Sequence, residues 1–126
     1  MIFEFSFDVN DPSTYEEYVT EAAQLRELLP SADGFEGIKR FESVSEPGSF
    51  VAIAFFRDEA AVAQWRNTPE HRRVQVLGRD RFFTTYRLRM AEVVRDYGRL
   101  ERTDAPSDSR AFHEGLLDPD RSLRRG

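Results

Sequence analysis

Apolar and polar side chains alternate at the start of the chain, with Phe3, Phe5, Phe7 and Val9 on one side and Glu4, Ser6 and Asp8 on the other. A period of two with aromatic side chains predicts a strand over residues 2–9, and Asn10-Asp11-Pro12-Ser13 breaks it. The period then changes to that of a helix. Tyr15, Tyr18, Val19, Ala22, Leu25, Leu28 and Leu29 give one apolar stripe over residues 14–29. Ser13, with Glu16 three residues later, has the form of a capping box, and Pro30 stops the helix. Residues 35–45 predict a second strand with a possible bulge at Gly37, followed by a turn at Glu46-Pro47-Gly48-Ser49. The run FVAIAFFR, residues 50–57, is a third strand so apolar that both of its faces require cover.

Residues 58–67 predict a helix capped by Asp58, with Ala61, Val62 and Trp65 along one side. Thr68-Pro69 restarts it, since Thr caps and Pro suits the first helical position. The second piece runs to about Phe82. Residues 83–97 alternate again and predict a long fourth strand, with Tyr86, Leu88 and Met90 on one face and Arg87 and Arg89 on the other. From Gly98 the chain is rich in Arg, Asp, Ser, Gly and Pro. An extended or partly disordered extension is expected over 98–126, with Phe112 to Leu117 as a docking segment.

The order β-α-β-β-α-β over residues 1–97 is the split βαβ, or ferredoxin-like, unit. The fold class expected is α+β with an antiparallel sheet. Two helices cover one face of four strands, and the simplest cover for the other face is a second copy. A symmetric homodimer, its two sheets packed face to face, follows as an expectation.

Composition narrows the function. The chain has 126 residues, net charge −5 and pI about 5.1, which argues against a nucleic-acid partner. It has no cysteine, so disulfides, thiolate catalysis and Cys-ligated metals are excluded. MIFEFSF lacks the basic start of a signal peptide, and no apolar run reaches the length of a membrane span. No membrane association is expected, and a cytoplasmic location is the default. Eleven Phe in so short a chain need a core, a ligand cavity or an interface.

The stretch from Phe50 to Gly98 resembles the antibiotic biosynthesis monooxygenase (ABM) superfamily of dimeric α/β-barrel proteins. It is most similar to small ABM-domain proteins whose helix carries Trp65, Arg66, Pro69, Glu70, His71, Gly78 and Arg79 at these positions. The resemblance implies a dimer whose sheets form a barrel, with a pocket in each subunit between sheet and helices. It also implies a small aromatic molecule as ligand. Members oxidise polyketide aromatics with dioxygen and neither metal nor flavin, oxidise quinols, or degrade haem. The haem degraders pair a helical Trp with a downstream His on iron and use an Asn of the first strand. Here no Asn occurs before Asn10, and Trp65 to His71 is a shorter spacing.

Trp65 is a candidate to stack on a flat substrate, and its bland alternative is a core ring. His71, three residues after the Thr68 cap, is a candidate base or iron ligand. Its bland alternative is a group organising the helix junction, and a helix N-terminus favours its neutral form. Tyr86 offers a hydroxyl on a rigid ring, and Arg79 a planar fork for an oxygenated substrate. Phe5, Phe7, Phe55 and Phe82 are the rings chosen as substrate contacts. Two separated histidines and no cysteine do not make a metal site. The resemblance implies a monooxygenase needing no cofactor and acting on a planar aromatic or quinol-like molecule. The alternatives are a haem-binding or haem-degrading protein with His71 on iron, and a non-enzymatic ligand-binding dimer.

Overall fold

The computed structural model describes residues 1–114. The strands are β1 (Ile2–Ser6), β2 (Phe35–Glu42), β3 (Ser49–Phe56) and β4 (Thr85–Arg89). The helices are α1 (Pro12–Leu28), α2 (Glu59–Arg66), α3 (Pro69–Leu77) and α4 (Ser107–His113). The strands form one antiparallel sheet in the order β2-β3-β1-β4. This is the α+β, ferredoxin-like arrangement that the alternation predicts. Among the described residues no helix is long and apolar enough to cross a membrane.

Chain contacts divide the molecule into a first unit, Met1–Ala91, and a second beginning at Glu92. In the second unit Ser107–His113 is helical, where extended chain was expected. Arg110 donates to the carbonyls of Arg102 (3.0 Å) and Thr103 (2.6 Å), and the Arg102 guanidinium lies 5.2 Å from the Tyr97 ring centre. Of the segment expected to dock, Gly115 to Leu117 lie outside the described residues.

The first unit is built on aromatic alternation. Phe5 and Phe7 are buried with Ala52 and Phe82, and Tyr18, Phe50 and Phe83 pack around them. Phe5 is 2% exposed, stacked on Phe50 at 5.6 Å and tilted against Tyr18 at 5.3 Å. The Tyr18 hydroxyl accepts a hydrogen bond from Arg40 at 3.0 Å, and burial raises its pKa. Helix α1 begins earlier than the Ser13–Glu16 pattern suggests. The Asp11 carboxylate is the cap, taking the Ser13 amide (3.3 Å) and hydroxyl (2.5 Å), with Pro12 at the first helical position. Its apolar stripe is shallow, since no α1 residue is fully buried. Across the helix layer, Arg73 and Arg81 reach Glu21 and Glu17, each at 2.6 Å.

The register shift between Phe35 and Gly37 is the expected irregularity in β2, and Gly48 has φ +81°, as the turn before β3 requires. The fourth strand is shorter than its alternation suggested. β4 pairs with the five residues of β1, and the ladder stops at Ile2↔Arg89. Residues 90–97 are not a strand.

Within the first unit, helices α1, α2 and α3 lie on one face of the sheet. The pairs Ile2↔Ile53, Phe41↔Val51 and Gly37↔Phe55 place Ile2, Ile53, Phe41, Val51 and Phe55 on the other face. Phe41 is 50% exposed there and Phe55 47%, beside the Arg89–Glu4 ion pair at 3.0 Å.

Candidate active site

Helices α2 and α3 are one helical segment broken at Asn67-Thr68, and the break shapes the site. Asp58 caps α2 through the Ala61 amide at 2.8 Å. Thr68 serves both helices: its hydroxyl donates to the Trp65 carbonyl at 2.9 Å and accepts the His71 amide at 3.4 Å. A second tie crosses the junction on the outside. Arg72 donates to the side-chain oxygens of Asn67 and Gln75, and Gln75 donates to the Arg66 carbonyl at 3.0 Å.

These ties bring Trp65 and His71 together, which spacing across the break could not establish. The rings stack with centroids 5.0 Å apart and planes 29° apart. Trp65 is 7% exposed. His71 Nδ1 is buried without a hydrogen-bond partner among the described residues. Burial pushes the imidazole pKa below its ordinary 6.5, the nearby Trp65 carbonyl opposes that shift without closing a bond on Nδ1, and the Arg72 charge adds to it. Burial thus favours the neutral imidazole, the form able to accept a proton.

Both rings line a cavity of about 460 Å³ between the helices and the covered face of the sheet. Phe3, Phe83, Tyr86 and Leu88 form its sheet side, and Arg66, Arg72, Gln75 and Arg79 contribute from the helical side. The Phe3 ring lies 5.6 Å from Phe83 and 6.0 Å from Tyr86. Gly78 sits behind Phe83, because a Cβ there would lie 2.6 Å from the ring edge.

The structure thus places Trp65, His71, Tyr86 and Arg79 around one cavity. Phe5, Phe7 and Phe82 are core residues, and Phe55 stands on the opposite face of the sheet. Phe3, Phe83, Arg66, Arg72 and Gln75 were not chosen as contacts from the sequence. A signal existed for the last two: Arg72 follows His71 directly, and Gln75 lies three residues further along the helix, within reach of it. Among the described residues no three His, Asp or Glu side chains converge to hold a metal ion.

Comparison with known proteins agrees with this architecture. The profile of the antibiotic biosynthesis monooxygenase family matches residues 4–77. A Pyricularia oryzae protein, jasmonate monooxygenase ABM, is 36% identical over 99 residues, which is 75% of this chain. The match spans 46% of that protein, so this chain covers about half its length. A crystal structure from Bacteroides thetaiotaomicron, described as an antibiotic biosynthesis monooxygenase, superposes with TM-score 0.61 at 17% identity, covering 74% of this chain and 86% of its own. SnoaB, a cofactor-independent oxygenase from Streptomyces nogalater, superposes with TM-score 0.55 at 14% identity, covering 75% of this chain and 94% of its own. At such identities the two structures speak for the fold. The haem alternative draws no support from these likenesses.

Proposed function

This chain belongs to the antibiotic biosynthesis monooxygenase family, and from that membership we propose that it oxygenates a small planar aromatic or quinol-like molecule without a cofactor. The observation that carries the reading is the neutral His71 imidazole stacked on Trp65 in the wall of an aromatic cavity. A flat substrate lies against Trp65, Phe3 and Phe83. His71 takes a proton from an acidified methylene flanked by aromatic rings or a carbonyl. The resulting carbanion gives an electron to dioxygen, and radical and superoxide combine at that carbon to a peroxide. Loss of the second hydrogen with cleavage of the O–O bond leaves a ketone and water. One oxygen atom enters the product, the other leaves as water, and the methylene supplies all four electrons. The cavity contributes position, an apolar environment and the base, with the Tyr86 hydroxyl as a donor to the developing enolate.

Anthrone has such a methylene and is a direct probe. Under labelled dioxygen, the reading expects one mole of dioxygen consumed per mole of anthraquinone and one labelled oxygen in each product molecule. Conversion no faster than in buffer, or product oxygen derived from water, refutes it.

The same reading assigns the sheet face opposite the helices of the first unit to a second copy of the chain. Phe41, Val51, Ile53 and Phe55 give it an apolar centre, with Glu4, Lys39, Arg87 and Arg89 among its polar residues. That composition fits a homodimer interface. Sedimentation equilibrium is expected to give twice 14.6 kDa, and a stable dilute monomer counts against it.

A further inference from the structure

We propose that the cavity takes an organic acid, with the aromatic body against Trp65 and Phe83 and its carboxylate held by Arg79, Arg72 and Arg66. This rests on the reading of the cavity as the substrate site and adds the charge of the substrate to it.

The argument starts from an imbalance. The chain carries 23 acidic and 18 basic side chains, yet the cavity is lined by three arginines and a histidine with no Asp or Glu. Elsewhere in this unit four arginines meet carboxylates, Arg57 with Asp33 at 3.3 Å, Arg73 with Glu21 and Arg81 with Glu17 at 2.6 Å, and Arg89 with Glu4 at 3.0 Å, and Arg40 donates to the Tyr18 hydroxyl. The cavity arginines meet no carboxylate among the described residues. The guanidinium groups of Arg66 and Arg79 have no hydrogen bond or ion pair among the described residues, and those of Arg72 go to the neutral amide oxygens of Asn67 and Gln75. Three positive charges therefore line the cavity beside its apolar wall with no carboxylate among the lining residues, and they attract an anion that enters.

Guanidinium chemistry then names the partner. A planar fork with several donors suits the two oxygens of a carboxylate. Arg72 and Arg79 are exposed residues of the cavity lining, accessible to a charged ligand from solvent. Arg72 is also held in place by Asn67 and Gln75, so little freedom is lost when it binds.

The experiment compares 2-naphthylacetate with 2-naphthylacetamide, which share a flat body and differ in charge. Affinities come from calorimetry at low ionic strength. The indole N–H resonance of Trp65, the single Trp of the chain, reports whether each probe enters the cavity. The proposal expects both probes to move that resonance and the acid to bind about tenfold or more tightly, the increment of one charge-assisted hydrogen bond. In the double variant Arg72→Gln/Arg79→Gln the preference falls sharply, with Arg66 alone remaining, while an amide that still moves the Trp65 resonance shows that the cavity is intact. Arg79→Gln alone, which breaks no hydrogen bond among the described residues, repeats the test if the double variant fails to fold. Equal affinities in the parent chain, or a preference that survives the variants, overturn the carboxylate assignment while leaving the cavity as a substrate site. If neither probe moves the Trp65 resonance, the underlying reading fails as well.

Discussion

Phe3 and Phe5 project from the same face of the same strand, two residues apart, and end in different surroundings. Phe5 is enclosed by Phe7, Tyr18, Phe50 and Phe83 under helix α1. Phe3 opens into the cavity under α2 and α3. The sheet is alike at both places, and the helices above it differ. Helix α1 runs unbroken for 17 residues and lays Tyr15 and Tyr18 onto the rings below. Helices α2 and α3, of eight and nine residues, meet at a capped break that turns Trp65 and His71 toward each other. A filled core and an open pocket are thus made from one aromatic strand by changing what crosses it.

The contrast is broken most severely at its filled end. Phe5→Ala leaves a ring-sized void among rigid neighbours and is expected to cost about 3–5 kcal/mol, read by urea unfolding. Phe3→Ala, beside existing space, is expected to cost clearly less and to enlarge the cavity. Equal losses at the two positions would mean that the cavity end is packed as tightly as the core. Next comes Gly78→Ala. The new methyl meets the Phe83 ring edge at 2.6 Å and drives it toward the cavity, with an expected loss of about 1–3 kcal/mol and weaker binding of flat ligands.

The smallest effect is electrostatic and belongs to the open end. The folded-state pKa of His71 lies below 6.5 because burial penalises its charged form. As pH falls through about 6.5 the unfolded chain binds a proton before the folded one does, so stability declines with falling pH until the folded value is passed. His71→Gln is expected to flatten that part of the stability profile. A slope that the variant leaves unchanged would place its origin elsewhere.

How much of this was legible beforehand depended on what each pattern encodes. Alternation of Phe3, Phe5 and Phe7 gave their common face, and Asp58 and Thr68-Pro69 gave the helix starts, because both signals are local. Depth is not local. Whether a ring on that face joins the core or the cavity depends on where the helices cross, so Phe5, Phe7 and Phe82 were chosen as contacts and Phe3 and Phe83 were not. β4 was drawn too long for a similar reason: residues 90–97 keep a strand-like composition, but the ladder requires a partner and β1 supplies five residues. The stacking of Trp65 on His71 was hidden by the break between them, since the angle of two capped helices cannot be read from residue spacing. The unpaired arginines were equally hidden, because only the fold shows which of them find carboxylates.

The most direct test is the rate of oxygen uptake with anthrone in His71→Gln, with circular dichroism confirming that the variant is folded. Removing a positioned base is expected to lower kcat by about a hundredfold or more while ligands still bind against Trp65. Uptake at the parent rate in a folded His71→Gln protein would contradict the account, because the cavity would then be doing its chemistry without the group the fold places there.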